Sequence, residues 1–70
     1  MKLREIRVRK VLTQKDLSER SGVAAVTIAA IERGIQLPSL RTSRKLAEAL
    51  DVEPTVIDEV NKAIERELEE

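Results

Sequence analysis

Two closely spaced glycines, each preceded by a short helical pattern, constrain this chain more than any other feature. In the stretch Leu12 to Gly34, LTQKDLSERSGVAAVTIAAIERG, Thr13 is a good N-cap and Asp16 stands three residues on, a short version of a capping box. Leu17 and the stem of Arg20 follow at helical spacing, and Gly22 interrupts them with a residue able to take positive φ. A second helix is predicted from about Ala25 to Arg33, with Ile28 and Ile31 on one face and Gly34 just past its end. Two short helices this close together can only cross at a tight turn.

The rest of the chain supplies elements that pack around this pair. Met1 to Lys10 is predicted as a first helix, with Leu3, Ile6 and Lys10 on one stripe and Val11 and Leu12 carrying the apolar signal into the turn. Pro38 holds Leu37 extended, and Ser39 caps a fourth helix to about Leu50, with Leu40, Leu46, Ala47, Ala49 and Leu50 as its apolar face. Asp51 follows, a residue that tolerates left-handed backbone better than most. Glu53-Pro54 opens a last amphipathic helix over about 54–69. Along it Ile57, Val60, Ile64 and Leu68 continue one apolar stripe. Its glutamates, Glu67, Glu69 and Glu70, oppose the helix dipole, so the end is expected to fray. The stripe is longer than one small domain needs, and its first expectation is a homodimer seam. The alternative is a helix folded back over its own core.

The Leu12–Gly34 outline is that of a helix-turn-helix, a motif whose second helix enters the DNA major groove. The pieces TQKDLSERSG, then Thr27-Ile28, IERG, PSL at Pro38 to Leu40 and KLAEALDV follow in order. In that combination, over roughly Leu3 to Ile57, the chain resembles the phage-repressor (Cro and lambda-repressor type, XRE) helix-turn-helix family. The resemblance implies an all-α, five-helix domain over 1–70, with the motif at about 13–33 and a lengthened C-terminal helix. It also implies a cytoplasmic transcription regulator whose partner is double-stranded DNA. Arg7 and Glu32 would form an ion pair tying the first helix to the third. Gln14 would reach a phosphate and brace the recognition helix, and Thr27 would touch the DNA backbone. Arg33, Gln36, Arg41 and Arg44, flanking the loop and the start of the fourth helix, are placed to hold phosphates. Ser43 falls where the family usually has an apolar residue.

Base edges would be met by Ala25, Val26, Ala29 and Ala30, with Ala24 at the helix start. There the chain departs from the family, which usually places Ser, Gln, Arg or Asn at these positions. Alanine and valine neither donate nor accept a hydrogen bond, so they can only pack on a thymine methyl. Ala24 also forgoes an N-cap, at roughly 1 kcal/mol. Three explanations stay open: a weakly specific binder using methyl contacts and DNA shape, a face turned into a protein-contact surface, or an engineered, DNA-silent scaffold whose base-reading residues were replaced.

Composition excludes much else. With no cysteine, histidine or aromatic residue among 70, the chain lacks disulfides, thiolate or imidazole metal ligands, the commonest general base and any base-stacking platform. No nucleophile motif or Gly-rich phosphate loop is present, and adjacent carboxylates such as Asp58-Glu59 point to different helix faces. Neither an enzyme, a cofactor nor a small-molecule substrate is expected. No apolar run approaches the roughly 18 residues of a membrane span, and no basic, apolar, small-residue pattern stands at the start, so neither a membrane span nor a leader is expected. The formal net charge of zero hides an asymmetry: residues 1–45 hold 11 basic and 4 acidic residues, residues 46–70 hold 2 and 9. A basic body with an acidic tail fits a polyanion-binding face.

Overall fold

Most helices in a computed structural model of the chain start or end on a residue whose side chain or backbone freedom fits that place. The structure describes residues 1–69; Glu70 lies outside the described residues. Five α-helices, α1 (Leu3–Arg9), α2 (Gln14–Ser21), α3 (Ala25–Glu32), α4 (Leu40–Leu50) and α5 (Asp58–Glu69), are joined by short connections. No strand occurs among the described residues.

Thr13 and Asp16 form a reciprocal cap on α2. The Asp16 amide donates to Thr13 Oγ1 at 3.0 Å, and the Thr13 amide donates to Asp16 Oδ2 at 2.9 Å. Ser39 accepts from the Thr42 amide at 3.1 Å and starts α4. Gly22 and Gly34 close α2 and α3 at positive φ, and Asp51 does the same for α4 at φ 55°. Val11 takes a fourth such position, at φ 59°, after α1. For a β-branched residue that conformation is strained, and the side chain is 88% exposed, so packing does not repay it.

The core is built from Leu3 and Ile6 of α1, Leu17 of α2, Ile28 and Ile31 of α3, and Leu46, Ala47 and Leu50 of α4. Val23, Ile57 and Val60 complete it, and Pro38 is fully buried beside these residues. Ser43 is buried in the same region, and its hydroxyl has no hydrogen-bond partner. Leu40, expected on the apolar face of α4, is instead about half exposed at the first turn.

The C-terminal helix requires the largest correction. It does not run from Pro54: Pro54–Val56 form a single 3₁₀ turn, Ile57 is extended at φ −91° and ψ 117°, and α5 begins at Asp58. The Asn61 side chain holds this corner by donating to the Thr55 carbonyl at 2.8 Å. The bend swings the apolar stripe back onto the molecule's own core. Ile57 and Val60 are buried there and Ile64 is packed against the core, whereas Leu68 alone stands free at 81% exposure. Of the stripe expected as a dimer seam, Ile57 and Val60 are thus taken up by the molecule's own core, as in the folded-back alternative, and Leu68 is the residue left exposed. α5 also secures α1, because Glu59 Oε1 accepts the Leu3 amide at 2.8 Å, where Lys2 offers no side-chain cap.

Candidate nucleic-acid interface

α3 is held from one side and left bare on the other. On its inner side Ile28 and Ile31 are buried, and Glu32 is anchored at its end. Arg7 Nε donates to Glu32 Oε2 at 2.7 Å and Arg7 Nη2 to Glu32 Oε1 at 2.9 Å, a two-pronged ion pair. The third arm of the same guanidinium, Nη1, donates to the Leu12 carbonyl at 2.8 Å. Gln14 Nε2 donates to Glu32 Oε1 at 3.2 Å. The pair is nearly dry: the Arg7 side chain is 9% exposed and that of Glu32 is 3% exposed. The hydrogen bond with Glu32 raises the already high pKa of Arg7 further. One carboxylate thus ties α3 to α1 and α2, while Arg7 fixes the turn between them.

Gln14 spends one amide hydrogen on Glu32 and, half-buried at the first position of α2, is braced against α3. Hydrogen bonds from the Thr13 backbone amide and side chain hold the Asp16 carboxyl below its usual range at the same helix start.

The outer side of α3 carries no charge. Ala24, Ala25 and Val26 are exposed, Val26 at 76%, while Thr27, Ala29 and Ala30 are half-buried. No side chain caps the helix at Ala24. A helix apolar on both sides is ordinarily covered on both; this one is covered on one.

Arg33 and Arg44 border different hollows. Arg33 and Gln36, both exposed, border a hollow of about 390 Å³ with Lys2 and Lys62, two residues that no sequence pattern joins to them. Glu32, Asp58 and Glu59 line the same hollow, so it carries as many carboxylates as cations and is no anion pocket. Arg44 shares a second hollow with Glu48, Asp51 and Glu53. Arg41 is exposed on the first turn of α4 and takes part in no ion pair among the described residues. No helix of the described residues is long and apolar enough to cross a membrane.

The profile of the helix-turn-helix family matches residues 3–57. Over 48 residues the chain is 46% identical to an HTH-type transcriptional regulator of Methanothermobacter thermautotrophicus, spanning 69% of this chain and 70% of that protein. It is 43% identical over 51 residues to one from Methanocaldococcus jannaschii and 39% identical over 51 residues to the regulator YgzD of Bacillus subtilis. Each alignment spans 73% of this chain and 77% of the relative. No solved structure matches the chain.

Proposed function

We propose that this chain, which belongs to the helix-turn-helix family, is a DNA-binding transcriptional regulator that lays the outer side of α3 in the major groove. The observation that carries this reading is the one-sided support of α3. Its inner side is locked by Ile28, Ile31 and the Arg7–Glu32 pair, and its outer side is free of intramolecular contacts large enough to bury Val26. The similarity to HTH-type transcriptional regulators supports the same reading.

In this proposal Gln14 and Thr27 touch the backbone beside α3. Arg33, Gln36 and Arg41 add phosphate contacts at its edges, Arg44 contributes least because of its acidic neighbours, and Ala24, Ala25, Val26, Ala29 and Ala30 face the groove. Phosphate contacts position a protein on the duplex, and base contacts make it selective. A chain keeping the first set and few polar groups in the second binds DNA with modest discrimination, each absent bidentate contact forfeiting about 1–3 kcal/mol.

The test is binding of the intact protein to labelled non-specific duplex DNA across a salt titration. The expected result is affinity that falls steeply with salt. Arg41→Ala should weaken all sequences alike and reduce the slope of log K against log salt by about 0.9, the loss of one neutralised phosphate. An unchanged slope would remove Arg41 from the interface, and no binding at about 50 mM salt, where such contacts are strongest, would refute the proposal.

A further inference from the structure

We propose that α3 recognises the 5-methyl group of pyrimidines, so that it favours thymine and 5-methylcytosine alike over uracil and unmethylated cytosine. The inference rests on the DNA-binding reading above and names what that interface reads. The site is defined by the helix-turn-helix framework; the side chains on it define the chemistry.

Between Ala24 and Ala30 the only polar side chain is Thr27, and it is half-buried. Besides that hydroxyl, which the reading above places at the DNA backbone, the side chains of this face offer methyl groups: one each from Ala24 and Ala25, two from Val26, and the partly covered methyls of Ala29 and Ala30. In the major groove A·T and G·C pairs each present three polar groups, and a pair containing thymine adds a methyl. Methyl side chains, which neither donate nor accept hydrogen bonds, cannot tell one polar pattern from another. They remove water from all of them at comparable cost, and the methyl is the one feature they can favour. Val26 supplies the complementary group. At 76% exposure its branched side chain stands in water in the free protein, on a helix whose opposite side is fully packed. Contact with a pyrimidine methyl takes both apolar groups out of water together. Cytosine methylated at C5 offers the same group at the same place, and this face has nothing with which to distinguish its amino group from the thymine carbonyl.

The experiment begins with selection of preferred sites from a randomised duplex library. Dissociation constants at fixed salt then compare thymine, deoxyuridine, cytosine and 5-methylcytosine at each pyrimidine of the chosen site. Uracil in place of thymine at one or more positions should weaken binding about four-fold, the ratio for one buried methyl at about 0.8 kcal/mol. Cytosine should weaken it similarly, and 5-methylcytosine should restore affinity close to that of thymine. Val26→Ser, at an exposed position, should abolish the thymine-to-uracil ratio while leaving the salt slope unchanged. Salt-dependent binding that is equal for thymine and uracil duplexes, or a selected site governed by guanines, would overturn the inference and leave the DNA-binding reading standing. Absence of binding to every duplex would overturn both.

Discussion

Removing the carboxylate of Glu32 should unfold this protein, although the residue belongs to no apolar core. Glu32→Leu leaves the Arg7 guanidinium in place, 9% exposed, with the Leu12 carbonyl as its one remaining acceptor and no counter-charge. Gln14 Nε2 loses its acceptor at the same time. Breaking one side of a buried pair typically costs about 3–5 kcal/mol. A core of this size supplies about 3–5 kcal/mol in total, so the variant should be largely unfolded near room temperature or lose more than about 12 °C in Tm. The double variant Arg7→Met with Glu32→Leu should recover most of that stability, since apolar residues of similar volume often replace buried ion pairs without loss. Because the chain has no aromatic residue, far-ultraviolet circular dichroism in urea, rather than intrinsic fluorescence, follows the transition. A loss below about 1 kcal/mol for Glu32→Leu, the value of an exposed pair, would refute the reasoning, as would a double variant no more stable than the single one.

Three further perturbations address separate features. Val11→Gly should raise stability by roughly 1 kcal/mol, because glycine relieves the left-handed conformation and an exposed side chain gives up little packing; an unchanged or lower urea midpoint would mean that Val11 is not strained. Ser43→Ala should be neutral or stabilising by up to about 1–3 kcal/mol, since it deletes a buried hydroxyl without a partner, and a clear loss in the same assay would mean the hydroxyl is satisfied. Asp16 has a carboxyl pKa lowered on folding by its bonds to Thr13, so its stabilising effect is present above the unfolded value of about 3.9 and fades as pH falls through the lower folded value. Asp16→Ala should accordingly lower Tm at neutral pH and make little difference at the acid end of that window; a penalty independent of pH would count against the capping box.

The features legible in the sequence are those that one or two residues determine locally. Thr13 with Asp16, Ser39, Gly22 and Gly34 each impose a helix start or stop through their own chemistry, and Asp51 takes the left-handed backbone its side chain tolerates. Helical spacing could not show the corner at Ile57, because the interval from Ile57 through Val60 and Ile64 to Leu68 has the same period whether or not one extended residue interrupts it. Nor could spacing say what the stripe packs against, a matter decided by how the 3₁₀ turn aims α5 at α4. Val11 was hidden for the opposite reason: its intrinsic preference argues against the conformation it adopts. The charge asymmetry along the chain was legible, but folding interleaves what the sequence keeps apart. Lys2 and Arg33 share one hollow with Asp58 and Glu59, and Arg44 sits among Glu48, Asp51 and Glu53.

The alanines of α3 acquire their meaning from this separation of duties. Folding depends on the inner side of the helix, where Ile28, Ile31 and Glu32 are buried or clamped, and hardly on the exposed Ala24, Ala25 and Val26. Those outer positions can change without cost to the fold, so the framework remains recognisable as a helix-turn-helix whatever stands there. For the same reason the fold alone says nothing about which bases are read; that must come from the side chains themselves. Polar residues on that face would make many sequence readings possible. Methyl groups leave one chemical distinction available, and it is a distinction a uracil-substituted duplex can isolate.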